Sequence, residues 1–112
     1  MDIHWQRIEN GAGPGTPDVN GCHAGKEIWI ELKNVKGNAV KLEPEQVNWL
    51  VKRSLNKGRC WVLAKKDDVI KAWKGEQARE LKELGWECPC DSVWLKDRNS
   101  FNWIDMMATL FD

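Results

Sequence analysis

Glu31 and Lys33 stand two residues apart in the run Glu27-Ile28-Trp29-Ile30-Glu31-Leu32-Lys33. Its β-branched and aromatic residues, recurring with a period of two, predict a strand. On that strand Ile28, Ile30 and Leu32 face one way and suit a core, while Trp29, Glu31 and Lys33 face the other. A half-buried carboxylate and ammonium cost on the order of several kcal/mol unless they pair or bind an ion. Taken by themselves, the two residues also read as a surface ion pair worth under about 1 kcal/mol. Asp18 is the third group, following Pro17 in the short extended piece Thr16-Pro17-Asp18-Val19, which ends at Asn20-Gly21 before a turn through Ala24-Gly25. Paired as neighbouring strands, the two pieces bring Asp18 close to Glu31. Converging carboxylates repel unless a hard divalent cation neutralises them, so the implied chemistry is that of a magnesium site.

The elements that must position this trio form an α/β pattern in one domain, residues 1–112, with a central sheet flanked by helices. His4-Trp5-Gln6-Arg7-Ile8-Glu9 predicts a first strand, and the Gly- and Pro-rich segment through Gly15 a loop. A helix follows, with Pro44 in its first turn, Glu43 and Glu45 at its N-terminus and Lys57-Gly58 closing it. Its apolar stripe is Val47, Leu50, Val51 and Leu55, with Lys52 and Arg53 off that stripe. Cys60 to Ala64 reads as a strand buried on both faces, Val69 to Trp73 as a short strand, and Glu76 to Leu84 as a charged helix. A C-terminal helix, capped by Asn99 or Ser100, places Phe101, Ile104, Met107, Ala108 and Phe111 at helical spacing.

Formal charge is zero over 112 residues, but residues 26–82 carry 14 Lys/Arg against 8 Asp/Glu. Local field governs phosphate binding, so a basic middle is compatible with DNA, and an ordinary solvated surface is equally so. The cysteines Cys22, Cys60, Cys88 and Cys90 lack zinc spacing, because Cys88-Pro-Cys90 has one spacer residue, and are expected as free thiols. Most of the eight tryptophans are expected to pack; Trp49 and Trp73, in the basic segment, are the candidates for base stacking. His4 and His23 lack the spacing of a zinc hydrolase and read as surface or loop residues, with His23 a possible DNA contact. No phosphate-cradling glycine loop predicts a nucleotide cofactor, and no signal or apolar span is present, so a cytoplasmic protein without a membrane partner is expected.

Pro17-Asp18 followed by Glu31-Leu32-Lys33 resembles the signature of the PD-(D/E)XK nuclease superfamily. Gln46 in the first turn of the helix, with Gly15 ahead of the Pro-Asp pair, resembles the VRR-NUC and Holliday-junction-resolvase-like branch, which includes small phage endonucleases. The resemblance covers roughly residues 5–64 and implies a restriction-endonuclease-like core. It further implies Asp18 and Glu31 as ligands of Mg²⁺ or Mn²⁺, the backbone carbonyl of Leu32 as another, and Lys33 as the residue that orients or activates water. Gln46 would assist by binding a phosphate or holding Lys33, or it is a plain helix N-terminal glutamine. Lys36, Lys52 and Arg53 are the DNA-binding candidates. Members of the superfamily generally carry an N-terminal helix with a further acidic ligand; only Met1 to Ile3 precede the first strand here, so either Glu9 contributes instead or that helix is absent. The implied function is metal-dependent hydrolysis of DNA phosphodiesters, on branched DNA in phage or mobile-element processing, by a homodimer in the host cytoplasm. The competing reading is a non-catalytic DNA-binding module that keeps the nuclease fold.

Overall fold

Ala24 and Gly25 adopt φ values of 49° and 81°, the left-handed pair that a two-residue hairpin turn requires. They join β2 (Val19–His23) to β3 (Lys26–Asn34) in antiparallel register, from Val19 opposite Ile30 to His23 opposite Lys26. The structure is a computed structural model and describes residues 2–9, 13–96 and 101–112. β1 (His4–Arg7) pairs antiparallel with β2. Helix α1 (Pro44–Leu55) carries the chain over to β4 (Arg59–Lys66), which therefore runs parallel to β3. β5 (Val69–Lys74) and β6 (Ser92–Leu95) extend the sheet antiparallel, giving six strands in sequence order. A 3-10 turn at Gly75–Gln77, α2 (Ala78–Leu84) and a second turn at Gly85–Glu87 connect β5 to β6, and α3 (Trp103–Phe111) follows. The expected mixed sheet flanked by helices is thus present.

Each sheet face has its own core. On one, Val47 and Leu50 of α1 and Ala78 and Leu81 of α2 pack against Cys60, Val62, Ala64 and Trp73. On the other, Met106, Leu110 and Phe111 of α3 cover Ile28, Ile30, Trp61, Leu63 and Ala72. Two buried indoles bind these layers through their N–H groups: Trp73 donates to the Cys88 carbonyl at 3.0 Å and Trp61 to the Leu110 carbonyl at 3.0 Å. A buried indole N–H needs such a partner.

Several expectations shift. Asn20-Gly21 does not end the extended piece but lies inside β2, because the ring of Trp5 sits 2.6 Å from where a Cβ at Gly21 would stand; glycine here permits close packing and makes no turn. The cap of α3 is Asn102, whose side chain accepts from the Asp105 N–H at 3.0 Å; Asn99 and Ser100 lie outside the described residues. Met106, Leu110 and Phe111 are the buried residues of the helix, while Ile104 is 72% exposed. Leu55, in the last turn of α1, is 75% exposed, and Leu32 is 52% exposed where it borders a cavity beneath α3. β6 is a strand the sequence reading did not contain, and α2 begins at Ala78 because Gly75–Gln77 forms the 3-10 turn first.

Candidate active site

Asp18 lies one residue before the Val19–Ile30 pair, which sets it opposite Glu31 on the sheet face turned to α1. Its carbonyl accepts the Ile8 N–H at 2.8 Å, and its Oδ2 accepts the Leu32 N–H at 2.9 Å. Pro17, fully buried, anchors the segment. Gly15 decides how closely this segment approaches α1. At its φ of 80° a Cβ would lie 2.1 Å from the Glu45 carbonyl oxygen and 2.8 Å from the Gln46 nitrogen, so only glycine lets the loop rest on the first turn of the helix.

Glu31 is only 2% exposed. Its Oε2 accepts from Gln46 Nε2 and lies 3.7 Å from Lys33 Nζ. Its Oε1 is buried with no hydrogen-bond partner among the described residues. Burial pushes the Glu31 carboxyl up from 4.5 to about 8; the neighbouring Asp18 carboxylate pushes the same way, and Lys33 opposes them. Lys33 Nζ donates to Gln46 Oε1 at 3.2 Å, and the same oxygen accepts the Glu43 N–H at 2.9 Å. The Gln46 amide therefore has one orientation, since the flipped form would point its NH₂ at two donors. Gln46 holds the helix N-terminus, Lys33 and Glu31 together.

A cavity of about 310 Å³ opens beside these groups, lined by Glu9, Asp18, Glu43, Glu45, Gln46 and the glycine loop. The residues fit a hard divalent cation: a buried Glu31 oxygen stands unpartnered among the described residues beside Asp18, and Asp18 lines a cavity with the further acids Glu9, Glu43 and Glu45. Among the described residues no three His, Cys, Asp or Glu side chains cluster as a metal site, so two carboxylates need a backbone donor. The Leu32 N–H is directed to Asp18, and the N–H and C=O of one strand residue point to the same edge, which turns the Leu32 carbonyl that way as well.

The three DNA-binding candidates are not gathered around the carboxylates. Lys36 is exposed in the loop after β3. Lys52 and Arg53 lie in the last turn of α1, and Arg53, seven residues past Gln46, is about 10 Å farther along the helix axis. The Arg53 guanidinium lies over two indoles, 4.4 Å from the Trp49 ring centre and 5.3 Å from that of Trp29. Sequence reasoning missed Trp29 as a member of this group. The signal was present, because Trp29 shares a strand face with Glu31 while Trp49 and Arg53 are four apart on a helix. Trp73, by contrast, is wholly buried and packs. His23 ends β2, edge-on to Phe111 at 5.9 Å, with Nδ1 2.6 Å from the Asp2 carbonyl; His4 is exposed on β1.

A comparison with curated proteins gives no match. Among solved structures, the chain is similar to Hjc, a Holliday junction resolvase from the archaeal hyperthermophile Archaeoglobus fulgidus, with a TM-score of 0.53 and 20% sequence identity. That alignment covers 67% of this chain and 65% of the archaeal protein, just under two thirds of its length, and shows the restriction-endonuclease-like α/β fold. The sequence profile of the archaeal Holliday junction resolvase (Hjc) family matches residues 9–87, a span that contains Asp18, Glu31, Lys33 and Gln46, and the chain belongs to that family.

Proposed function

We propose that this chain is a divalent-metal-dependent endonuclease that hydrolyses phosphodiester bonds in branched DNA. The observation that carries this reading is the buried Glu31 carboxylate, unpartnered at one oxygen among the described residues and set beside Asp18 and Lys33. An uncompensated buried carboxylate is costly, and a cation at that oxygen removes the cost. Asp18, Glu31 and the Leu32 carbonyl would hold Mg²⁺ or Mn²⁺, with Glu9 on the wall of the same cavity as a further donor. Such an ion supplies Lewis acidity at the scissile phosphate and eases deprotonation of water. Lys33, steadied by Gln46, orients the attacking water, and Lys36, Lys52 and Arg53 take the DNA backbone.

Membership in the Hjc family supports the four-way junction as substrate. The resemblance to VRR-NUC and small phage enzymes extends this to DNA processing for a phage or mobile element in its host's cytoplasm. No helix among the described residues is long and apolar enough to cross a membrane. Resolving a junction takes symmetric cuts in two strands, and one site per chain implies a two-fold homodimer. Exposed Leu32 and Trp103, which line a cavity of about 310 Å³ with Leu63, Ile70 and Met106, and exposed Ile104 next to Trp103 on α3 are the surface offered for that contact.

The test is cleavage of linear, nicked, flapped and four-way DNA with Mg²⁺ or Mn²⁺. Paired, symmetric cuts in the junction are expected, lost in folded Asp18→Asn and Lys33→Ala proteins. Binding without metal and without cleavage of any DNA form would replace the enzyme with a DNA-binding module.

A further inference from the structure

The Arg53 side chain is held firmly, yet its donors are unengaged among the described residues. Its stem runs against Gly58, where a Cβ would stand 2.4 Å from Arg53 Cδ and 2.6 Å from Cγ. Gly58 reaches this position through a left-handed helix end: Lys57 has a φ of 67°, and the Gly58 N–H donates to the Arg53 carbonyl at 2.9 Å. Above the stem, the guanidinium rests on the tilted pair of Trp29 and Trp49, whose ring centres are 5.3 Å apart. Among the described residues the ion pairs are Lys33–Glu31 and Lys74–Asp91, and Arg53 has neither an acid partner nor a side-chain hydrogen bond. A second cation on an indole shows what an engaged one looks like: Lys71 Nζ, 4.5 Å from the Trp86 ring centre, donates to the Trp86 carbonyl at 3.0 Å.

Arg53 also lines a recess of about 310 Å³ with Trp49, Lys52 and Asn56. The recess therefore offers a planar fork of N–H donors, a second cation and an amide. A guanidinium immobilised in advance and left without a carboxylate suits an oxyanion that it can bind through two N–H groups. With indole faces beneath the guanidinium, phosphate recognition by its edge is favoured over insertion of a base between the rings.

Resting on the nuclease reading above, we infer that the Trp49–Lys52–Arg53–Asn56 recess is a second phosphate site, which holds a backbone phosphate flanking the scissile one. Trp29 and Trp49 act as positioning residues that aim the Arg53 fork. Because α1 is rigid between Gln46 and Arg53, this grip fixes which phosphodiester enters the carboxylate site.

The experiment measures binding of the full chain to a four-way junction without divalent metal, across a salt series, and then maps the cuts with Mg²⁺. Arg53→Gln keeps the stem over the indoles and is checked by thermal unfolding. It is expected to weaken binding regardless of base sequence, to lower the slope of log K against log salt by about 0.9, and to scatter the cuts over neighbouring positions. Arg53→Lys restores the salt slope but not the single cut position, and Trp49→Leu behaves like Arg53→Lys. A junction with one uncharged methylphosphonate near the cut binds wild type more weakly but leaves Arg53→Gln unchanged, a result that needs no altered fold. Wild-type affinity, slope and cut position in Arg53→Gln would overturn the inference, as would a loss confined to particular bases. If Lys33→Ala still abolishes cleavage, the nuclease reading survives that failure; if the wild type binds no DNA, both fall.

Discussion

The two faces of β3 obey opposite rules. Toward α3, Ile28 and Ile30 are buried among Trp61, Leu63, Met106 and Leu110, a layer in which every contact adds stability. Toward α1, one residue past Ile30 on the same strand, Glu31 is equally buried but pays in desolvation, with one oxygen unpartnered among the described residues and a carboxyl raised to about 8. The contrast teaches that burial on this strand stabilises the fold on one face and opposes it on the other. The apolar layer supplies the stability that lets the chain keep a buried carboxyl whose charge is disfavoured.

The sharpest way to break the comparison is to remove one function and spare the other. Lys33→Ala should reduce cleavage by about 10²- to 10⁴-fold, the usual range for a proton-handling or water-positioning group, while thermal unfolding changes little. Trp61→Ala, on the apolar face, should do the reverse. It removes an indole and the hydrogen bond to Leu110, and should cost about 3–5 kcal/mol in denaturant unfolding with little change in activity per folded molecule. Were Trp61→Ala instead to abolish cleavage at full stability, the division between faces would be wrong.

Gly15→Ala should affect both faces' readouts moderately. The new methyl meets the Glu45 carbonyl and an unfavourable φ, so about 1–3 kcal/mol of stability is expected to go, together with activity, because Asp18 shifts with the loop. A variant with normal cleavage would show that Asp18 does not depend on this contact.

Glu31→Gln sharpens the comparison through pH. A carboxyl raised from 4.5 to about 8 in the fold binds a proton there that the unfolded chain has released, so wild-type stability falls as pH rises between those values. Glutamine keeps the bond from Gln46 without the charge. Its unfolding temperature should exceed that of wild type at pH 8 to 9 in the absence of divalent ions and lose that advantage near pH 4. Added Mg²⁺ should raise the wild-type value alone. Equal melting profiles across pH would mean Glu31 is not strained. The smallest effect is expected at Ile104, which is 72% exposed on α3. Ile104→Ala should alter stability by under about 0.5 kcal/mol, and a change in sedimentation would mark it instead as part of a contact between chains.

Most of the scaffold was legible, for reasons that are local. Pro44 and Lys57-Gly58 bracket α1, the alternating run defines β3, and Ala24-Gly25 makes the hairpin turn. What escaped depends on distant partners. β6 is a four-residue edge strand, too short to show a period and recognisable only from its pairing with β5. Asn20-Gly21 carries turn-forming residues, and only the Trp5 ring above Gly21 shows why they sit in a strand. The face of α3 that is buried, Met106 and Leu110 rather than Ile104, was selected by packing against Ile28, Ile30, Trp61 and Leu63, which lie far away in sequence.

The chemistry divides along the same line. Sequence by itself determined which residue types share a strand face and which turns bring Asp18 toward Glu31, because side-chain alternation and turn preference are properties of neighbouring residues. Only the tertiary structure decided that α1 covers Glu31, that the Gln46 amide points its nitrogen at that carboxylate and its oxygen at Lys33, and that Trp29 meets Arg53. Desolvation and hydrogen-bond direction are set by what packs over a group, and for Glu31 the covering residue comes from fifteen positions farther along the chain.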